Sequence, residues 1–183
     1  FYDYHAFDDG RFGLAVGDIS GKGVSAALLM AASLSQLDAA FSHAFSPAER
    51  LVYLDNAIKP YAQPHGQNCA LCYVEIEQNS QGGTARMVNA GCAMPIIKWQ
   101  DGSAEWVEIG GVPLGMGLGT SDGVIEAHDT KNTMFGFNRL EQIVKSGPIA
   151  NAEAMLQHIR DEVIHFVGER DLHDDITIVV VQI

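Results

Sequence analysis

The amino-acid sequence predicts an α+β fold, because its predicted strands and helices are segregated along the chain. A strand and two helices come first, a block of antiparallel strands follows, and two more helices and a strand complete the order. Regular alternation of strands and helices would instead indicate a doubly wound parallel sheet. The order therefore favours an α+β domain or a sandwich of two sheets with helices outside. The length of 183 residues suits a single domain spanning 1–183.

The first predicted strand and helix flank a glycine-rich turn. The apolar run of residues 11–18 ends at this turn, as a buried strand does. Residues 24–45 lack Pro and Gly and are rich in Ala, Leu and Met, which predicts one long helix. We expect the buried positions of this helix to include Leu28, Ala31, Ala32, Leu34 and Leu37.

A second helix is predicted from its N-terminal signature. Ser46, Pro47 and Glu49 form a capping box with proline at the first helical position, so a helix should run to about residue 61. The sequence then changes to the period of two that is typical of strands. The predicted strands are 69–76, 85–89 and 94–99, with tight turns at Gln81-Gly82-Gly83 and Asp101-Gly102.

The last third of the chain predicts two helices and a strand. Residues 138–144 form a short helix, and Asn151 can cap a further helix that runs to about residue 167. The apolar face of that helix carries Met155, Ile159, Val163 and Phe166. Residues 176–183 are predicted to form the final strand.

Composition excludes several classes of function. The net charge of −12 makes the chain a poor binder of nucleic acid and of anionic membranes, which attract clustered Lys and Arg. No run of about 18 apolar residues is present, so we expect no membrane contact. Three cysteines suit a reducing compartment, and we expect a cytoplasmic protein. Because Phe1 is not an initiator methionine, the chain is expected to be a fragment of a longer protein.

A candidate metal ligand lies in the first glycine-rich turn. Residues 17–23 read Gly-Asp-Ile-Ser-Gly-Lys-Gly and set Asp18 between a strand end and a helix start. Glycine permits the tight backbone that would let carbonyl oxygens reach a hard cation beside the carboxylate. Two interpretations stay open for this turn alone, because an aspartate here can also simply cap the helix.

Two further turns carry aspartates near predicted strands. Asp122 precedes Gly123, and the adjacent Asp174 and Asp175 stand at the start of the last strand. Each turn alone is equally compatible with an ordinary turn or strand start. Acids at a strand start nevertheless cost stability unless they are exposed or bind something. Because the three turns can converge at one edge of a sheet, together they predict a site for two divalent ions.

Two other motifs do not support a function. The segment 17–23 is not a phosphate-binding P-loop, since only three residues separate Gly17 from Gly21 and Gly23 replaces the required hydroxyl residue. Cys69 and Cys72 have the spacing of a redox or zinc motif. On a strand, however, the two side chains would face opposite sides, which favours buried apolar packing.

Segments along nearly the whole chain match one set of family motifs in order. They are Phe1-Tyr2-Asp3-Tyr4, residues 17–30, Val88-Asn89-Ala90-Gly91, Gly111-Val112-Pro113-Leu114-Gly115, residues 121–127, Phe135-Gly136 with Arg139-Leu140, and Asp174-Asp175-Ile176-Thr177. With these motifs the chain resembles the PPM superfamily of metal-dependent protein phosphatases, in its bacterial SpoIIE/RsbU-like branch. The family's opening motif also has an aspartate directly before the equivalent of Phe1.

The resemblance implies a fold and a metal site. The implied fold is an αββα sandwich, with two antiparallel sheets flanked by helices and metals at one end. Asp18 would bridge two Mn²⁺ or Mg²⁺ ions, and the carbonyl of Ile19 would hold the second ion. Asp122 and Asp174 would hold the first ion, with Asp175 as the alternative to its neighbour. Asp18, Asp122 and Asp174 would thereby serve catalysis, in which a metal-bound hydroxide attacks phosphoserine or phosphothreonine.

The resemblance also implies partners and leaves one alternative open. The substrate would be a phosphorylated bacterial signalling protein, with an anti-sigma-factor antagonist as the family example. A flanking sensor or receiver domain is expected, and a homodimer is compatible with the motifs. Cys92 stands where the branch often has His, and the stretch from Met116 to Ser121 is shorter than in the family. These departures favour the alternative, a catalytically degenerate phosphatase-like module that binds a regulatory protein.

Overall fold

The structure is a computed structural model, and it describes residues 1–79, 82–115, 135–168 and 176–182. These residues form two compact units. The first unit contains residues 1–79, 82–94 and 109–115, and the second contains 95–108, 135–168 and 176–182. Each unit combines an antiparallel sheet with two helices, so the predicted α+β class is confirmed.

The first unit is built on a four-stranded antiparallel sheet. Its strands are β1 (Tyr2–Ala6), β2 (Phe12–Ile19), β3 (Cys69–Asn79) and β4 (Gly82–Ala90), and they pair in that order. The register places Gly17 of β2 opposite Leu71 of β3, and Leu71 opposite Ala90 of β4. The ends of β2 and β4 therefore lie at the same edge of the sheet as the start of β3.

Two helices of the first unit pack on each other and on the sheet. These are α1 (Val24–Phe41) and α2 (Pro47–Ala62). The predicted capping box is confirmed, because Ser46 accepts from the backbone of Glu49 while the Glu49 carboxylate accepts from the Ser46 backbone. The core beneath the helices contains Leu29, Leu37, Phe41, Leu54, Ile58, Leu71 and Tyr73.

The predicted buried face of α1 is partly wrong. Leu37 is fully buried, but Leu28 is 67% exposed and Ala31 is exposed, whereas Ala32 and Leu34 are half-buried. The buried side instead carries Ala26, Leu29, Ser33, Leu37, Ala40 and Phe41. The sequence could not select this side, because apolar residues cover both sides of the helix and no polar stripe marks the solvent side.

α1 also has the length and composition of a membrane span. Over its 18 residues the mean hydropathy is 1.4, and one third of the segment is buried. A core helix of a soluble protein can have the same length and the same hydropathy. The contacts of α1 with α2 and β2 are those of a core helix, and the absence of membrane contact stays a prediction.

A buried charge network joins the helix pair to the sheet. Arg50 of α2 has no exposed surface, and its guanidinium donates to the carbonyl of Ala40 in the last turn of α1 and to that of Phe45 between the helices. Its Nη2 lies 3.9 Å from Oε2 of Glu75, which is itself almost fully buried on β3. Glu75 also forms a 2.7 Å ion pair with Arg11. The network thus fixes the α1–α2 connection above the sheet.

The second unit has a smaller sheet. Strands β5 (Ile96–Lys98) and β6 (Ala104–Trp106) form a hairpin, and α3 (Gly136–Ser146) and α4 (Ala152–Val167) accompany it. Asn151 caps α4 as predicted, by accepting from the backbone N–H of Ala154 at 2.8 Å. The shared core contains Ala104, Phe135, Ile143, Val144, Met155, Ile159, Val163 and Val167.

Three strand predictions differ from the structure. β1 and β6 were not predicted, since strands of five and three residues give only a short signal in the sequence. The predicted last strand has no strand pairing within the part of the chain that the structure describes. Its residues Ile176, Ile178 and Val180 nevertheless pack against the second unit's core at the period of two expected for a strand.

Candidate functional site

Asp18 is exposed near the end of β2, between the buried residues Gly17 and Ile19. Its neighbour Gly17 is packed so closely that an added Cβ would lie 2.6 Å from the Phe1 ring and 2.8 Å from the Ala70 carbonyl oxygen. After the strand, Gly21 and Gly23 adopt φ of +87° and +83°, which L side chains rarely adopt. The turn therefore requires glycine on both sides of the carboxylate.

A second motif forms a turn at the end of β4. The Asn89 side chain accepts from the Cys92 backbone N–H at 2.8 Å and donates to the Cys92 carbonyl at 2.9 Å. It also donates to the carbonyl of Ile109 at 3.2 Å. Asn89 therefore fixes the turn at 89–92 and joins it to the segment 109–115.

The segment 111–115 is held against the same edge of the sheet. An added Cβ on Gly111 would lie 2.0 Å from the Asn89 carbonyl oxygen, so only glycine fits there. Leu114 and Cys69 exchange two backbone hydrogen bonds of 2.8 and 2.9 Å at the start of β3. The N–H of Gly115 donates to the Asp55 carboxylate of α2 at 2.7 Å. Three sequence motifs thus meet at one edge of the first unit's sheet.

The N-terminal strand leads to the same edge. Phe1 and Gly17 exchange hydrogen bonds of 2.7 and 2.9 Å, and Tyr2 pairs with Val16. Continued by one residue, this antiparallel register would set the position before Phe1 opposite Asp18. That is the position at which the family's opening motif carries its aspartate.

The structure describes some of the predicted metal ligands and not others. Asp18 and Ile19 lie together at the sheet edge, and an exposed carboxylate beside a backbone carbonyl supplies the hard oxygen donors that fit Mg²⁺ or Mn²⁺. Asp122, Asp174 and Asp175 lie outside the described residues, so their roles stay predictions. Within the described ranges, no group of three or more His, Cys, Asp or Glu side chains could hold a metal.

The hydrogen bonds that hold the Asp18 turn were not predicted from the sequence. Ser20 bonds to the backbone of Asn68, and the Gln67 side chain donates to the Ser20 carbonyl. Gln67 and Asn68 are almost fully buried. Two polar residues before an apolar strand are the only sequence signal, and they do not identify a partner far along the chain.

Cys69 and Cys72 have the apolar role that was predicted. Both are buried without a disulfide, and burial raises the pKa of each thiol to about 12. A thiolate at either position is therefore strongly disfavoured near neutral pH.

Comparisons with known proteins agree with these motifs. The chain matches the sequence model of the family described as Stage II sporulation protein E (SpoIIE) over residues 8–120 and 118–183. The two matched segments overlap at residues 118–120. No match was found among curated proteins.

Two solved structures resemble the chain. The SiaA-PP2C domain of Pseudomonas aeruginosa has a TM-score of 0.78 at 16% identity, covering 95% of this chain and 75% of that chain. The RsbU and RsbW domains of Rv1364c from Mycobacterium tuberculosis give a TM-score of 0.68 at 24% identity, covering 91% of this chain and 51% of that chain. At these identities the likeness establishes the fold alone. Together with the family match, it shows that the chain belongs to the SpoIIE family and has the fold of a PP2C-type phosphatase domain.

Proposed function

We propose that the chain is a Mg²⁺- or Mn²⁺-dependent protein serine/threonine phosphatase. The main support for this proposal is that Asp18 is exposed at a sheet edge beside the Ile19 carbonyl. The turn that carries both residues matches the sequence motif of the family. The other motif segments of the first unit, 89–92 and 111–115, support the same edge. Asp122 and Asp174, with Asp175 as the alternative, would complete the ligand set for two ions.

The chain's own residues would hold the ions. The carboxylate of Asp18 would supply a charged oxygen ligand, and the Ile19 carbonyl would supply a neutral one. When bound, such ions supply an activated water and stabilise the charge that develops on a phosphoryl group. No side chain is then required to form a covalent intermediate.

Family membership supports a substrate class and a neighbouring domain for this chain. A phosphoserine or phosphothreonine on a bacterial signalling protein, such as an anti-sigma-factor antagonist, fits this branch. The related structure joins an RsbU domain to an RsbW domain, which supports a neighbouring regulatory domain for this chain also. The small number of cysteines, with Cys69 and Cys72 buried as thiols, supports a cytoplasmic location.

Phosphate release from a phosphoserine peptide tests this proposal. The full chain should release phosphate with millimolar Mn²⁺ and lose nearly all activity after chelation, since the ions supply the nucleophile. Restoring Mn²⁺ should restore the rate, which separates metal removal from denaturation. Equal rates before and after chelation would contradict metal dependence. Absence of hydrolysis with every metal would favour the alternative, a catalytically degenerate module that binds a regulatory protein. Cys92 at the family's His position also points to this alternative.

A further inference from the structure

Three hydrogen bonds hold the turn after Asp18 to the segment before β3, and we call them the Ser20 clasp. The N–H of Ser20 donates to the Asn68 carbonyl at 3.0 Å, and the N–H of Asn68 donates to the Ser20 hydroxyl at 2.8 Å. The Gln67 side-chain amide donates to the Ser20 carbonyl at 3.2 Å. The clasp joins residues 47 or 48 positions apart in the chain.

The clasp sets the direction of the Ile19 carbonyl. This carbonyl and the N–H of Ser20 belong to one planar trans peptide, so they point in opposite directions. Because the N–H points at Asn68, the Ile19 carbonyl must point away from Asn68. The Ser20 hydroxyl adds a second attachment on the same residue and resists rotation of that peptide plane.

The next peptide plane is fixed in the same way. The Ser20 carbonyl accepts from Gln67, whose side chain is held in a buried position, with 7% of the residue exposed. The N–H of Gln67 donates in turn to the Ala62 carbonyl at the end of α2, at 3.0 Å. Two successive planes of the turn are therefore attached to a segment that is itself attached to α2.

The turn needs such attachment because its own sequence is permissive. Gly21 and Gly23 have no Cβ and gain a wide range of backbone conformations when released. Only Ser20 separates the carbonyl of Ile19 from Gly21, and Asp18 directly precedes Ile19. Without the clasp, ordering both oxygens around an ion would cost additional conformational entropy.

We propose that Ser20 is a positioning residue for the metal site, and that it acts through the clasp. The proposal rests on the metal-dependent function proposed above. Outer residues that orient metal ligands typically change metal affinity by 10–100-fold when they are replaced. Ser20→Ala removes the hydroxyl that accepts from Asn68, so the Mn²⁺ dissociation constant should rise about tenfold or more.

Mn²⁺ titration calorimetry on the full chain tests this role. The variants are Ser20→Ala, the conservative Ser20→Thr, and Gln67→Met, which removes the donor to the Ser20 carbonyl with little change in volume. Ser33→Ala is the matched control, because it deletes a buried hydroxyl of the same unit that donates to Leu29 within α1. Thermal unfolding of each metal-free variant measures the purely structural effect.

The expected result separates affinity from stability. Ser20→Ala and Gln67→Met should weaken Mn²⁺ binding, Ser20→Thr should restore it, and Ser33→Ala should lower the unfolding temperature without changing affinity. If wild-type protein binds Mn²⁺ and the Ser20 and Gln67 variants bind equally well, the positioning role is wrong while the proposed function stands. If wild-type protein binds no Mn²⁺, the proposed function fails and the positioning role fails with it. If Ser20→Ala does not fold, the Mn²⁺ affinities of Gln67→Met and Ser33→Ala are compared to decide whether the clasp positions the metal site.

Discussion

Asp18→Asn is expected to lower the phosphatase turnover by roughly 100-fold or more. Asparagine keeps the size of the side chain but removes the negative charge proposed to bridge both ions. Each factor of ten in rate corresponds to about 1.4 kcal/mol, and a metal ion contributes several kcal/mol of transition-state stabilisation. The variant should remain folded, since Asp18 is exposed at the strand end. The measurement is the turnover number on a phosphoserine peptide at saturating Mn²⁺.

Asp38→Asn is the matched control for this variant. Asp38 is an exposed carboxylate on α1 in the same unit, so its replacement changes the net charge equally. We expect its turnover to stay within about twofold of wild type, because surface substitutions away from a site have small effects. If the two variants are equally active, the role assigned to Asp18 is wrong.

Arg50→Ala is expected to lower the free energy of unfolding by about 3–5 kcal/mol. The change removes the guanidinium that donates to the Ala40 and Phe45 carbonyls. These carbonyl oxygens, which lie below the surface, then lose this hydrogen-bond donor. It also leaves a cavity beside the rings of Phe41 and Tyr73, which lie 5.2 and 5.6 Å from the guanidinium carbon. Urea denaturation of metal-free protein measures this loss.

The comparison variant is Arg160→Ala. Arg160 is 56% exposed and pairs with its neighbour Asp161 on the surface of α4, an arrangement that contributes about 0–1 kcal/mol. Its free energy of unfolding should therefore change little. An equal loss for the two arginine variants would mean that the buried network does not hold the α1–α2 connection.

Local signals predicted much of the fold. Ser46 and Asn151 each cap a helix through contacts within one helical turn, and these contacts depend only on neighbouring residues. Most of the buried face of α4 was predicted, since Met155, Ile159 and Val163 are buried while Phe166 is half-buried and Val167 takes the fourth buried position. The face of α1 was not, because Leu28 and Ala31 are as apolar as the residues that the sheet covers.

The parts of the candidate site that consist of sequence motifs were predictable. The glycines around Asp18 are required by local backbone geometry and are visible in the sequence. The Ser20 clasp joins residues that are far apart in the chain, and no local pattern pairs the Ser20 hydroxyl or the Gln67 amide with a distant backbone group. The buried pairing of Arg50 with Glu75 was hidden for a different reason, since both residue types usually lie on the surface.

The measurement that tests the central claim most directly counts the Mn²⁺ ions that the chain binds. The signal of free Mn²⁺ in electron paramagnetic resonance falls as ions bind, which gives the number per chain for wild-type protein and for Asp18→Asn. We expect about two ions on wild-type protein, as in two-metal phosphatase sites, and weaker and fewer ions on Asp18→Asn. No binding by wild-type protein, or the same number and affinity for both proteins, would contradict a metal site at Asp18.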